Sequence, residues 1–169
     1  MKKNLILTGM MGVGKSTIGR ALSRRLLMQF SDIDKIIEKK LNMSVKKIFE
    51  TKGEFFFRKF EEKTTLEEAK KKNIVISLGG GAFMNYKIRR NILSNSKSFW
   101  LDLDIKMLEK RLIKSKKRPL LNDGKLENTL EKIFQKRKKT YASADYRINC
   151  DRLNKNFIID KIIKLYAND

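Results

Sequence analysis

Residues 4–16 read NLILTGMMGVGKS, and the fold follows from them. NLILT is a short apolar run of strand length. GMMGVGKS, residues 9–16, matches G-x-x-x-x-G-K-[ST] in full. Glycines at these spacings let the backbone bend so that successive N–H groups face inward around phosphate oxygens. The following residues place Ile18, Leu22 and Leu26 on one face of a helix, whose N-terminus adds the positive end of its dipole. Lys15 can then bridge the β- and γ-phosphates of a nucleotide, and the Ser16 hydroxyl can ligate Mg²⁺. With Gly near 7% of average sequence, a chance match in a chain this long is expected in roughly 1 case in 100 or fewer. The loop also lies between a predicted strand and a predicted helix, as the motif requires.

Outward from the loop, short apolar strands alternate with helices. Residues 29–32 read as a second strand, and a helix is expected from Asp34 to Leu41. Ser44 is placed to cap a helix carrying Val45, Ile48 and Phe49. A further helix is expected over 54–71. NIVISL, residues 73–78, is a buried strand ending in Gly79, Gly80 and Gly81. A helix over 87–93, a strand over 98–101 and a helix over 105–112, for which Asp102 and Asp104 are the expected caps, come next. The polar stretch 114–124 interrupts before a helix over 126–141, a strand over 146–149 and a closing helix over 156–166. This alternation predicts an α/β fold: three α/β/α layers around a central five-stranded parallel sheet of P-loop kinase type. Ligands on such sheets bind at the carboxyl ends of the strands, where the glycine loop, Asp32 with Asp34, and the triple glycine all fall.

Composition bounds the chemistry. A chain of 169 residues, 41% hydrophobic, fits one domain with a packed core and leaves little room for a second. It contains no histidine and one cysteine, Cys150. Acid–base work therefore falls to Asp, Glu, Lys or a substrate group, no disulfide can form within the chain, and any metal is expected to be a hard, oxygen-bound ion. Lys2 and Lys3 ahead of an apolar stretch mimic the front of a secretory signal, but the loop glycines break the run. With no apolar run of membrane-spanning length and a free thiol, a cytoplasmic protein is expected. The formal net charge is +21. That balance suits a nucleic-acid or anionic-membrane partner, or simply a solvated lysine-rich surface. Lysines scattered along the chain, without an aromatic-interleaved motif, favour the surface.

The acceptor is less legible than the donor. Asp32 and Asp34, two apart at a strand end, would share a face in extended geometry. They could divide metal and base work, or cap the next helix. Only 11 of the 40 basic residues are Arg. Arginine's planar fork suits carboxylates and phosphates, yet Arg58, Arg118 and Arg137 could equally be solvated charges, with Phe55, Phe57 and Phe60 as core candidates around the first.

Taken together, GMMGVGKST, FSDIDKIIE, IFETKGEFFFRKFE, LGGGA, KSKKRPLL and RKKTYASAD resemble the shikimate kinase family, in its order and at its spacings, over roughly residues 5–150. The resemblance implies a monomeric enzyme that transfers the ATP γ-phosphoryl group to the 3-hydroxyl of shikimate with Mg²⁺, in aromatic amino acid biosynthesis. It implies nucleotide binding by Gly12, Val13, Gly14, Lys15, Ser16 and Thr17, with Arg111 stacking on adenine. Asp34 becomes the candidate base and substrate ligand, and Asp32, with Ser16, the metal-side residue. Arg58 and Arg137 hold the substrate carboxylate, the turn Gly79, Gly80 and Gly81 approaches the ring, and Arg118 reaches over the phosphate from a mobile lid at about 112–124. A substrate-binding helical region spans about 33–61. Near the C-terminus the family's Asp-Thr pair and later proline are replaced by Asn149, Cys150 and Asp151, so Arg152 is a weaker candidate for the nucleotide. Alternative readings are another small-molecule kinase, for gluconate or a nucleoside monophosphate, and a basic nucleic-acid-binding P-loop ATPase.

Overall fold

A computed structural model of the chain describes residues 3–114, 125–151 and 154–168. Strands β1 (Asn4–Thr8), β2 (Gln29–Asp32), β3 (Ile74–Ser77), β4 (Ser96–Asp102) and β5 (Tyr146–Asn149) form one sheet in the order β2-β3-β1-β4-β5. Every pairing is parallel. The helices among the described residues are α1 (Lys15–Leu26), α2 (Ile33–Leu41), α3 (Val45–Ala69), α4 (Tyr86–Asn95), α5 (Ile105–Lys114), α6 (Lys125–Tyr141) and α7 (Lys155–Ala167). The step from β1 to β2 crosses the sheet one way and the later steps cross it the other way. Right-handed crossovers therefore put α1 on one face and α3, α4 and α6 on the opposite face. The packing agrees, with α1 against α7 and α3 against α4. Central β1 is buried along its whole length, which is why Leu5, Ile6 and Leu7 follow one another without alternating with polar residues.

Three local outcomes differ from the sequence reading. First, β4 begins at Ser96 rather than residue 98. Its small polar residues pair with β1, Asn4 opposite Ser96, and the Asp145 carboxylate accepts from both the N–H (2.8 Å) and the hydroxyl (2.6 Å) of Ser98. Second, Asp102 caps no helix. It forms an ion pair with Arg147 at 2.6 Å, while Asp104 alone caps α5 through the N–H groups of Lys106 and Met107. Third, Phe55 is not core: it is 75% exposed, whereas Phe57 is buried.

The two helices expected over residues 45–71 do form, Ser44 capping the first through the Lys47 N–H. They run on as α3 but bend at Gly53, whose φ of 78° and ψ of 166° are non-helical. That bend turns the segment carrying Arg58 toward the carboxyl end of the sheet.

Candidate active site

The loop from Gly9 to Gly14 leaves β1 and enters α1 with no intervening residue, so the first free N–H groups of the helix point into a cavity of about 490 Å³. Gly12, Gly14, Lys15, Ser16 and Thr17 line it. Val13 does not: its side chain is buried, and its carbonyl instead accepts from Arg111 at 3.2 Å. Lys15 is buried, and its ammonium donates to the carbonyls of Gly9 and Met10, both at 2.8 Å. Burial pulls its pKa down to about 8, with Asp34 and then Asp32 opposing the shift.

Asp32 and Asp34 line the same cavity, though not by the geometry expected. Asp34 lies in the first turn of α2, so the two are not on one extended face. Asp32 caps α2 through the Lys35 N–H at 3.2 Å and also lines the cavity. Asp34 is raised above the ordinary carboxylate range by burial, an effect that Lys15 opposes. Ser16, Asp32 and Asp34 offer hydroxyl and carboxylate oxygens beside the loop, a donor set suited to Mg²⁺. Among the described residues no group of three or more acidic or Cys side chains could hold a metal unaided, so the ion would be shared with the nucleotide's phosphates.

The triple glycine explains how the acceptor side is assembled. A Cβ at Gly79 would sit 2.5 Å from Glu61 Oε1 and 2.7 Å from Asp34 Oδ1. A Cβ at Gly81 would meet the Arg58 guanidinium at 2.8 Å. These side chains press directly on the backbone, and only glycine leaves them room. Between the two, Gly80 packs on the N–H of Met11 in the phosphate loop, and its carbonyl accepts from Arg137 at 3.0 Å. The turn thus brings Asp34, Arg58 and Arg137 together beside Lys15, although neither arginine lines the 490 Å³ cavity itself.

Arg58 is already engaged. Its Nη1 donates to Glu61 Oε2 at 2.7 Å, and its Nε and Nη2 donate to Glu54 Oε1 at 3.2 and 3.1 Å. The Glu61 side chain is only 2% exposed, and its other oxygen, Oε1, is buried with no hydrogen-bond partner among the described residues. Burial raises the Glu61 pKa, with Arg58 pulling the other way. Glu61 was not singled out from the sequence, although its position three after Arg58 on a helix is the spacing of an ion pair. Arg118, nearly all of the expected lid and Arg152 lie outside the described residues.

Compared with known proteins, residues 11–167 match the family model described as "Shikimate kinase". A "Shikimate kinase" of Sulfurihydrogenibium sp. is 38% identical over 95% of this chain and 96% of its own length. One from Bacillus subtilis is 38% identical over 96% of this chain and 88% of its own. Among solved structures, the shikimate kinase from Acinetobacter baumannii in complex with shikimate superposes with a TM-score of 0.92 at 30% identity, covering 99% of this chain and 94% of that one. A gluconokinase from Sinorhizobium meliloti shares the fold alone, with a TM-score of 0.62 at 12% identity. The phosphate loop, the carboxylates under the triple glycine and these full-length matches agree: the chain belongs to the shikimate kinase family, which makes it a transferase that draws its phosphoryl group from ATP.

Proposed function

We propose that this chain binds shikimate and transfers the γ-phosphoryl group of ATP, with Mg²⁺, to its 3-hydroxyl, giving shikimate 3-phosphate and ADP. The observation that carries the reading is the turn at Gly79–Gly81, which sets Asp34, Glu61, Arg58 and Arg137 against the phosphate loop. An acceptor with one carboxylate and several ring hydroxyls matches two guanidinium groups beside one buried and one half-buried carboxyl.

Phosphoryl transfer needs positioning and neutralisation of charge more than covalent chemistry. The loop amides and Lys15 hold the triphosphate. Bound at Ser16, with Asp32 on its water ligands, Mg²⁺ would neutralise charge on the β- and γ-oxygens. Arg58 and Arg137 fix the acid by its carboxylate. Asp34 takes the proton of the attacking hydroxyl, and the rise in its pKa that burial brings makes it a stronger base than a solvated carboxylate. Glu61, buried beneath the turn, holds Arg58 in place from the core side. Arg111, lining the cavity beside the loop, faces the nucleotide base. Arg118 from the lid and Arg152 complete the nucleotide side, and region 33–61 the acceptor side. The chain acts as a monomeric, one-domain enzyme in the cytoplasm. Among the described residues no helix is long and apolar enough to cross a membrane.

The test is ADP release from Mg²⁺-ATP in the presence of shikimate, gluconate or nucleoside monophosphates in turn. Turnover with shikimate alone is expected. Equal or faster turnover with another acceptor would remove shikimate from the account.

A further inference from the structure

Arg137 and Tyr141 lie four residues apart on α6 and donate to the same atom, the carbonyl oxygen of Gly80. A carbonyl has two lone pairs, so the two donors saturate it. Their surroundings differ. Arg137 is half-buried, and in the proposed reaction it reaches for substrate. Tyr141 is fully buried, its ring is stacked on Trp100 with centroids 5.9 Å apart, and its hydroxyl lies 4.0 Å from the Met10 sulfur of the phosphate loop. Trp100 in turn stands on β4, which pairs directly with central β1. The tyrosine is therefore anchored to the sheet, and the glycine turn is anchored to the tyrosine.

We infer that Tyr141 is a positioning residue for the acceptor: its hydroxyl pins the Gly80 carbonyl and so sets where Arg137 and the triple-glycine turn meet the substrate. The inference rests on the acceptor site proposed above and deepens it. An arginine alone is a poor anchor for a backbone turn, because its long side chain keeps rotamer freedom and must also serve the ligand carboxylate. A rigid phenol with two rotatable bonds has no such second duty. The Tyr141 hydroxyl stays protonated over the working range, since burial pushes its pKa up. The nucleotide side has its own ties, Lys15 on the Gly9 and Met10 carbonyls and Arg111 on Val13, and does not depend on this contact.

The experiment compares wild type, Tyr141→Phe and Tyr166→Phe. The Tyr166 hydroxyl also donates to a backbone carbonyl, that of Lys3 at 2.5 Å, before the amino end of β1 and away from the loop. It controls for the structural worth of such a bond. Expected for Tyr141→Phe is a shikimate KM raised about 5- to 10-fold, the loss of one buried hydrogen bond, with kcat within about 3-fold and ADP affinity unchanged. Tyr166→Phe should lower thermal stability without moving the shikimate KM. An unchanged shikimate KM in Tyr141→Phe, or an equal loss of ADP affinity, overturns the inference. Wild type that fails to phosphorylate shikimate overturns the acceptor reading instead.

Should Tyr141→Phe not fold, 3,5-difluorotyrosine at position 141 keeps ring and hydroxyl but ionises at lower pH. Its shikimate KM should climb with pH relative to wild type, because a phenolate cannot donate to Gly80. Parallel profiles would reject the role.

Discussion

In the phosphate loop, Gly12 and Gly14 hold positive φ and Lys15 rests on two backbone carbonyls, whereas across the triple glycine Arg58 is already clasped by two glutamates. The donor side is made of backbone. Its ligating groups are N–H dipoles fixed by eight consecutive residues, and they need no rearrangement when phosphate arrives. The acceptor side is made of long side chains drawn from α2, α3 and α6, each held by another side chain or by the turn. Preorganisation there depends on partners, and one partner, Glu54, bonds the fork of Arg58 that a substrate carboxylate would take. One side is built before the ligand comes. On the proposed reading of Arg58, the other would exchange an internal anion for an external one.

The largest effect that would sharpen this contrast is Lys15→Ala. Loss of the only ammonium in the loop is expected to cut kcat/KM for ATP on the order of 100- to 1,000-fold. Folding should survive, since the change removes a buried charge rather than a packed apolar group, and thermal melting would show it. Near-normal turnover in a folded variant would mean the loop amides suffice alone. Next in size, Arg137→Leu should raise the shikimate KM about 10- to 100-fold, as expected for a charge-assisted bond to a carboxylate, and leave ADP affinity intact. If ADP affinity fell in step, the two sides would not be separable units.

The same division decides what could be read from the sequence. The loop was legible because its glycine spacing follows from backbone conformation within a few residues, and the strand before it because a central parallel strand, covered on both faces, carries consecutive apolar residues. Arg58 and Arg137 were visible only through resemblance. A lone arginine on a helix is ordinarily solvated, and nothing local says that Gly81 and Gly80 will press on these two. Glu61 was missed although it ends a segment whose other members were noticed. Its spacing to Arg58 is plain, but its burial under Gly79 depends on α3 bending at Gly53. Asp102 was misread for a similar reason: its partner Arg147 is 45 residues away on the adjoining strand. Ser96 and Lys97 fall outside the strand expected from the sequence because polar residues weaken a strand pattern, and Asp145, which ties down the adjoining Ser98, is 47 residues away.

A pH titration separates the two sides further. With its pKa near 8 in the ligand-free protein, Lys15 is mostly charged at pH 7 and loses its proton as pH climbs past 8. Phosphates favour the charged form, so nucleotide binding raises this pKa and takes up a proton above pH 8. ADP affinity should accordingly fall by up to about 10-fold per pH unit from 8 upward. Calorimetry in buffers of different ionisation heat would register the proton uptake. The arginines do not titrate in this range, so shikimate affinity should not follow. A flat ADP affinity from pH 7 to 9.5 would place the relevant charge elsewhere.

The smallest expected effect tests the exchange of anions directly. Glu54 is 66% exposed at its side chain, yet a single oxygen accepts from both Nε and Nη2 of Arg58. Solvent screens such a pair, so its hold on the guanidinium is worth about 0.2–1 kcal/mol. Glu54→Gln keeps an acceptor in place but removes the competing charge. It should lower the shikimate KM about 2- to 3-fold, with kcat and ADP affinity unmoved. The sign is the informative part. A lowered KM means Glu54 stands in for the substrate carboxylate and must yield to it, whereas a raised KM means Glu54 holds Arg58 in its binding posture, and the acceptor side is then as preformed as the donor side.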